Sequence, residues 1–380
     1  MEYELGELLP YEQPADYIVE STDYDDSYKT PVLTAGKSFI IGYTNETKGI
    51  YTKLPVIIFD DFTTSSKYVD FPFKVKSSAM KILSVNSEIA DLKYLFYKMQ
   101  TIQFDSANHK RYWISEYSKI KLDLPTLTEQ QRIVNRIETM FAKLDEAKEK
   151  AQNVVDSFET RKAAILHKAF TGQLRIDNEE LKIENWEDTT IGECCRLGSG
   201  GTPSKSHPEY YENGDIPWLK TGEIDWNDIY DVEERITNEG VENSSAKIFP
   251  AESVVVAMYG MGVTRGKAAI LKIPTATNQA VCVLQPNEKL NNRFLFYYFM
   301  CNYWQIREQS VGGNQLNLSG KIIASFPIKL PPQNYQLSIV NFLDSILEKE
   351  SRAKEATKTV LDQIALLKKS ILARAFRGEL

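Results

Sequence analysis

Three polar loops in the second half of the chain carry the side chains best suited to molecular recognition. They are residues 204–207, 264–267 and 312–317, which are rich in hydroxyl, amide and basic groups. Such groups contact base edges and phosphates; Asn and Gln suit adenine, and Arg suits guanine. Plain surface turns have a similar composition, so that alternative stays open here. The candidate contacts are Ser204, Lys205, Thr264, Arg265, Lys267, Asn314, Gln315 and Asn317.

The first half of the chain offers two comparable stretches, residues 63–76 and 108–113. The formal net charge of −7 does not favour a polyanionic partner on average. However, net charge averages over the molecule, and a local basic groove can coexist with acidic flanks. The candidate contacts in this half are Lys67, Tyr68, Lys74, Lys76, Lys110, Arg111 and Tyr112.

Motifs for catalysis are not matched. The glycine-rich residues 260–267 fail as a phosphate-binding loop, because a Walker loop needs Gly where Met261 stands and Ser or Thr where Ala268 stands. An amino-methyltransferase needs Asn or Asp before Pro-Pro and an aromatic residue after it. Here Pro-Pro at residues 331–332 follows Leu330. The sequence therefore predicts a protein without catalytic activity and without a cofactor of its own.

Composition and cysteine usage indicate a globular protein of the cytoplasm. Hydrophobic residues make up 42% of the chain and charged residues 26%, which suits packed cores. No apolar stretch approaches a membrane span, and the N-terminus lacks the pattern of a signal peptide. With no C-x-x-C pair and three histidines, the four cysteines predict packed, reduced thiols and no metal site.

A long internal repeat organises the chain around these loops. Residues 124–174 and 330–380 align without a gap at an offset of 206 (330 minus 124). In both copies apolar residues recur at alternating spacings of four and three, which predicts two long helices with a coiled-coil seam. We expect these helices to pack on each other.

Sequence signals place the ends of the first helix. Thr128 and Gln131 have the spacing of a capping box, and Gly172 stands where a helix would stop, as Gly378 does in the second copy. A helix from Thr128 to Phe170 would be about 60 Å long.

Two charged residues on the seam predict its register. Arg161 and Glu350 occupy otherwise apolar positions. In an antiparallel pair of helices, the numbers of facing residues have a constant sum. At a sum of 511 Arg161 faces Glu350, whereas at a sum of 504 Arg161 would meet Leu343 and Glu350 would meet Val154. Because an unpaired buried charge is costly, the sum of 511 is favoured. Exposure to solvent or contact with a partner subunit are the alternatives.

The remaining segments predict two α+β globular domains. Short apolar runs bounded by turn residues indicate strands, and residues 89–99 indicate a helix. The second segment echoes the first at offsets of 186 and later 200. Trp218, Trp226 and the aromatic run 294–299 are expected in a core. The predicted division is 1–123 first globular domain, 124–174 first helix, 175–185 linker, 186–329 second globular domain, and 330–380 second helix.

Several motifs resemble the specificity subunit of type I restriction-modification enzymes. They are the Leu-Pro-x-x-x-x-Gln starts at 124–130 and 330–336, the Ala-Phe-x-Gly-x-Leu endings at 169–174 and 375–380, and Gly-Gly-Thr-Pro-Ser at 200–204. The resemblance covers essentially the whole chain. The first globular domain departs from it, because it lacks Gly-Gly-Thr-Pro-Ser.

The resemblance implies a non-catalytic subunit that reads double-stranded DNA. Each globular domain would be a target-recognition domain for one half of a split asymmetric sequence, and the antiparallel helices would set the gap in a pseudo-two-fold, nearly circular molecule. Two methyltransferase subunits and the restriction subunits would be partners, with S-adenosylmethionine, ATP and Mg²⁺ on those partners, in the cytoplasm of a bacterium or archaeon. A coiled-coil scaffold for proteins and a fragment of a single-chain enzyme are the alternatives.

Overall fold

The chain packs into two compact units. The computed structural model describes residues 2–36, 38–102, 111–176, 179–180, 186–260, 262–312 and 316–380. Unit 1 comprises Met1–Asn153 with Thr357–Leu380, and unit 2 comprises Val154–Ala356. Each unit thus combines one globular domain with segments of both long helices. The boundaries between the two units fall inside the long helical stretches, whereas the predicted division into five parts has its boundaries at the ends of those stretches. The five-part division therefore remains a prediction.

Unit 1 is an α+β domain with strands in three sheets. Its elements are β1 (Glu2–Glu4), α1 (Leu5–Leu8), β2 (Tyr11–Glu12), β3 (Thr30–Leu33), β4 (Ile40–Thr44), β5 (Val56–Asp60), β6 (Ser66–Val69), β7 (Lys74–Val75), β8 (Met80–Leu83), α2 (Leu92–Met99), α3 (Tyr112–Ser115) and β9 (Lys121–Asp123). The sheet orders are β2-β8-β5-β6, β4-β3-β7 and β1-β9. The predicted α+β class is confirmed.

Unit 2 repeats this plan with more strands. Two helices connect the units in sequence, α4 (Leu127–Asp156) and, at the end of the chain, α11 (Gln333–Ala375). Between them lie α5 (Phe158–Phe170), β10 (Arg175–Ile176), β11 (Glu179–Glu180), β12 (Glu187–Thr190), α6 (Ile191–Cys194), β13 (Cys195–Ser199), β14 (Ile216–Leu219), β15 (Asp228–Ile229), β16 (Arg235–Ile236), α7 (Asn238–Glu242), β17 (Ile248–Phe249), β18 (Val254–Ala257), β19 (Ala268–Leu271), β20 (Thr275–Thr277), β21 (Val281–Pro286), α8 (Asn292–Cys301), α9 (Tyr303–Glu308), α10 (Gly320–Ser325) and β22 (Pro327–Leu330). The main sheet orders are β13-β21-β18-β19-β15 and β16-β14-β20-β17, and β12 pairs with β22.

Each unit has a central strand that is buried on both faces. In β5, Ile57 and Phe59 belong to one core cluster, whereas Val56 and Ile58 belong to another. The strand β18 of unit 2 divides in the same way between two clusters. Because successive side chains point to opposite faces of a sheet, a continuous apolar run suits a strand between two cores.

The predicted first helix is interrupted. It begins at Leu127, where the Thr126 hydroxyl accepts a hydrogen bond from the Glu129 N–H at 3.4 Å, so the predicted capping box at Thr128 and Gln131 is wrong. It also breaks at Ser157, which separates α4 from α5. Ser157 Oγ donates to the Val154 carbonyl at 3.0 Å, and such side-chain bonds compete with the helical ladder.

The predicted helix endings are confirmed. Gly172 and Gly378 adopt φ of 68° and 76° just beyond α5 and α11. A residue without Cβ adopts this left-handed conformation readily, which explains why glycine ends both copies of the repeat. The second helix, α11, runs for 43 residues without a break.

Within each unit, segments of the two long helices pair in antiparallel directions. In unit 2, Arg161 Nη2 lies 2.8 Å from Glu350 Oε2, so the register with positions summing to 511 is confirmed. In unit 1, Lys368 Nζ lies 2.5 Å from Asp145 Oδ1, at a sum of 513. Nearly the same register therefore holds in both units.

Candidate nucleic-acid interface

The glutamine of each Leu-Pro-x-x-x-x-Gln motif is completely buried and fully hydrogen-bonded. Gln130 Oε1 accepts from the N–H of Asp91 at 2.8 Å, and its Nε2 donates to the carbonyls of Pro125 at 2.9 Å and Ile89 at 3.3 Å. Asp91 also caps α2, because its carboxylate accepts from the Tyr94 N–H at 2.8 Å. The amide therefore joins the start of α4 to the start of α2.

The second motif repeats this arrangement in unit 2. Gln336 Oε1 accepts from the Asn291 N–H at 2.8 Å, and its Nε2 donates to the carbonyls of Lys289 at 2.8 Å and Pro331 at 2.9 Å. Asn291 caps α8 by accepting from the Phe294 N–H at 2.9 Å. We call these two groups of hydrogen bonds the glutamine junctions of Gln130 and Gln336.

The aromatic residue of each Ala-Phe-x-Gly-x-Leu ending packs on the same globular helix that the junction holds. Phe376 lies with its ring centroid 5.2 Å from that of Tyr94 on α2. Phe170 lies 5.0 Å from Phe294 and 5.6 Å from Tyr298 on α8. The start of one copy of the repeat and the end of the other therefore contact the same globular helix.

The Gly-Gly-Thr-Pro-Ser stretch is a close-packed turn that presents an exposed loop. A Cβ at Gly200 would stand 1.8 Å from the carbonyl oxygen of Thr277, so only glycine fits. The carbonyl of Gly201 accepts from the indole N–H of Trp218 at 3.0 Å, and Trp218 is buried as predicted. The candidate contact Ser204 ends this stretch and Lys205 follows it, and both are exposed.

The loop at residues 262–267 is braced from within unit 2. The Arg265 guanidinium donates to the Leu316 carbonyl, and burial, followed by the nearby Arg307 charge, lowers the pKa of Arg265. Lys267 forms an ion pair with Asp225 and is largely buried. The structure therefore brings the 262–267 and 316–317 segments together, while Thr264 beside them is half-buried.

Sequence reasoning missed the residues of α9 that hold this loop. Arg307 donates to the Arg265 carbonyl and, at 2.7 Å, to the Gly262 carbonyl, and its guanidinium lies 5.1 Å from the Tyr303 ring centroid. The sequence contains no motif that identifies Tyr303 or Arg307 as residues that hold the loop. They contact loop carbonyls from a helix that lies about forty residues further along the chain.

In the described part of unit 2, three buried polar atoms lack hydrogen-bond partners, one in the 262–267 loop and two between residues 310 and 317. Within the described residues, Arg265 Nε, Ser310 Oγ and Asn317 Oδ1 are buried without a hydrogen-bond partner. Buried polar groups are normally satisfied by protein, water or ligand. Asn317 is otherwise held by a backbone bridge to Val311. The predicted contacts Asn314 and Gln315 lie outside the described residues.

In unit 1 the candidate contacts differ in accessibility. Lys76 and Arg111 are exposed, while Lys67 and Tyr68 are half-buried on β6. Lys110 lies outside the described residues.

Two candidates of unit 1 were wrongly predicted as accessible contacts. Lys74 is 3% exposed, donates to the Lys48 carbonyl at 2.8 Å and lies 2.7 Å from Glu46. Tyr112 is 1% exposed within the core. Both residues stood in polar stretches whose burial the sequence did not reveal.

The four cysteines are free thiols, and most of them are buried. Cys194, Cys195 and Cys282 are buried, Cys301 is half-buried, and all four are free, as predicted. In the part of the chain that the structure describes, no group of three acidic, histidine or cysteine side chains could hold a metal ion. Among the same residues, no helix has both the length and the apolar content needed to cross a bilayer.

Together these features define a class of duplicated two-domain proteins, in which equivalent glutamine and phenylalanine contacts seat each α+β domain on paired helices. The family described as "Type I restriction modification DNA specificity domain" matches residues 1–156 and 183–363. The chain belongs to this family, and it is a DNA sequence-specificity subunit rather than a catalytic one.

Known relatives agree with this assignment. The specificity subunit of the type I restriction enzyme EcoR124I/EcoR124II from Escherichia coli is 37% identical over 348 residues, covering 90% of this chain and 85% of that protein. The MjaIX specificity subunit from Methanocaldococcus jannaschii is 27% identical over 193 residues, covering 48% of this chain and 42% of that protein.

Solved structures share the fold. A chain from a study of complex assembly and conformational transition in the type I R-M system aligns with a TM-score of 0.73 at 18% identity, covering 100% of this chain and 98% of that one. The HsdS subunit from Thermoanaerobacter tengcongensis aligns with a TM-score of 0.61 at 19% identity, covering 100% and 97%.

Proposed function

We propose that each globular domain reads one half of a split, asymmetric sequence in double-stranded DNA. The observation that carries this proposal is that both globular domains contact the long helices in the same way. Gln130 and Gln336 make equivalent hydrogen bonds, and Phe376 and Phe170 make equivalent ring contacts. Two similarly seated domains with different loops suit two different half-sites. The paired helices then set the gap between them.

The bases are read from the loops that the domains expose. Lys205 and Ser204 in unit 2, and Lys76 and Arg111 in unit 1, have the exposure and chemistry for contacts to phosphates or base edges. Arg265 and Lys267 act mainly by shaping the loop in the unbound protein, because their charged groups are engaged within unit 2.

The chemistry of the complex belongs to partner subunits. Two methyltransferase subunits would bind S-adenosylmethionine and methylate adenine N6, and restriction subunits would use ATP and Mg²⁺. The complex would act in the cytoplasm of a bacterium or archaeon, where chromosomal DNA is accessible. This chain would supply the sequence specificity for both activities.

The test is to co-express the chain with the methyltransferase encoded beside it and to map N6-methyladenine in the host genome at base resolution. We expect a single motif with two short defined halves and a fixed gap. An assembled complex that adds no methylation would contradict the proposal and favour a scaffold that binds proteins. Methylation of one undivided motif would contradict the assignment of one half-site to each domain.

A further inference from the structure

Each glutamine junction joins a globular helix to a long helix through a completely buried amide. Other side-chain contacts join the same pairs of helices, from Lys93 to Glu138 and from Tyr297 to Asp344, but their carboxylates are partly exposed. Each glutamine junction uses one side-chain acceptor and two side-chain donors, and each is inaccessible to water. Only a primary amide of this length supplies this set of groups. Glutamate lacks the two donors, and methionine or leucine lacks all three groups.

Hydrogen bonds and ring contacts constrain the domain differently. Apolar burial is non-directional, so the Phe376–Tyr94 contact can tolerate a small rotation of α2. The hydrogen bonds of Gln130 depend on distance and angle, so they weaken when α2 turns relative to α4. Among the polar contacts between these helices, the amide is therefore the completely buried one that favours a single orientation.

We propose that Gln130 and Gln336 are positioning residues for gap discrimination. Each holds its globular domain at one angle on its helix, and thereby restricts the complex to one gap length. One base pair occupies about 3.4 Å along the duplex. Loosening a junction enough to move the reading surface by this distance admits a neighbouring gap. The inference rests on the proposed reading of split DNA targets.

The experiment compares gap selectivity in the assembled methyltransferase complex. DNA substrates carry both half-sites with the native gap, or with one base pair added or removed, and initial methylation rates are measured on each. For Gln130→Met, and separately for Gln336→Met, we expect the ratio of native to altered-gap rates to fall at least about fivefold. The control is Gln131→Met, because Gln131 is exposed on the same helix and its replacement leaves the ratio unchanged.

The ratio separates positioning from plain stability. A variant that loses rate equally on all gaps, with the wild-type ratio, overturns the inference. If the methionine variants do not assemble, Gln130→Glu provides the test, since a carboxylate still accepts from the Asp91 N–H and, when protonated, also donates to one carbonyl. We expect its ratio to be low at pH 8 and to recover toward the wild-type value at lower pH, and a wild-type ratio at both pH values overturns the inference. A wild-type complex that methylates no split site contradicts the proposed function instead.

Discussion

Arg161 and Glu350 form a bridge across the antiparallel helices of unit 2, with Nε and Nη2 at 3.1 and 2.8 Å from one carboxylate oxygen. The bridge stands beside the break at Ser157, and Arg161 Nη1 reaches the Val154 carbonyl at 3.5 Å. The repeat places Leu367 and Leu144 at the corresponding positions, 206 residues away in each case. One copy of the seam is therefore ionic where the other is apolar.

This relationship predicts the outcome of a double-mutant cycle. We expect Arg161→Leu alone to lower the free energy of unfolding by about 1 kcal/mol, because it leaves the half-buried carboxylate of Glu350 without its partner. The double variant with Glu350→Leu should return close to the wild-type value, since the other copy of the repeat has leucine at both positions. Urea unfolding monitored by circular dichroism measures each step.

The matched control for this cycle is the exposed pair of Glu348 and Arg352, one turn apart on α11. Its coupling energy should lie near zero because both groups are well solvated. A coupling of the same size at both pairs would contradict a special role for the Arg161–Glu350 bridge.

Glu46 should make the stability of the protein depend on acid pH. Burial would raise its pKa, but hydrogen bonds from Lys74 and from the N–H groups of Ser21 and Glu20, with the Lys74 charge, hold the pKa below the usual 4.5. The stabilisation is therefore fully present above the unfolded pKa and is lost as pH falls through the folded pKa.

The corresponding variant is Glu46→Gln. We expect it to lower the free energy of unfolding by about 2 kcal/mol at pH 7, since Lys74 loses a charged partner. The difference from wild type should shrink as pH falls below 4.5, and it is measured by chemical denaturation across that range. A difference that stays constant with pH would contradict the linkage.

Replacing an exposed lysine and a buried lysine should affect different properties: the first should change DNA binding and the second should change stability. Lys205→Ala should reduce the slope of log binding constant against log salt concentration by about 0.9 in the assembled complex, as expected for one lost phosphate contact. Lys74→Ala should leave that slope unchanged and lower thermal stability, because Lys74 is buried and paired. Fluorescence anisotropy with a labelled target duplex gives both slopes. Equal slopes for Lys205→Ala and wild type would exclude Lys205 as a phosphate contact.

The Gly-Gly-Thr-Pro-Ser turn should tolerate no side chain at its first position. Gly200→Ala places a methyl group against the Thr277 backbone, and we expect a loss of about 3 kcal/mol in the free energy of unfolding. Gly222→Ala is the control, because no atom lies within 4 Å of its added Cβ. Thermal unfolding of the two variants compares them, and equal melting temperatures would show that the turn relaxes around the methyl group.

Much of this architecture could be predicted because it depends on periodic patterns. The constant offset of 206 located both helices, and the two charged residues on the seam fixed their register. The break at Ser157 was not predicted, since it depends on competing hydrogen bonds that do not disturb the heptad pattern. The capping position shifted by two residues for a similar reason, because a hydroxyl at Thr126 serves as well as one at Thr128.

The candidate contacts were harder to predict because exposure is a property of the folded domain. Lys74 and Lys76 look alike in sequence, but one is buried beside Glu46 and the other is exposed. Arg265 has the type of a base reader, but in the structure its guanidinium meets a loop carbonyl. The Leu-Pro-x-x-x-x-Gln motif was visible as a repeat, whereas the purpose of its glutamine became clear only from the backbone groups around it.

The discontinuity of unit 1 imposes an order on biosynthesis. Unit 2 is one uninterrupted stretch, but unit 1 needs residues 357–380, which leave the ribosome more than two hundred residues after Asn153. During this interval the ring of Tyr94 lacks Phe376, and Ile137 lacks Leu372 and Ala375, so apolar surface on the first-made half stays open to chaperones or to other nascent chains. The first domain to be translated is thus the last to be completed.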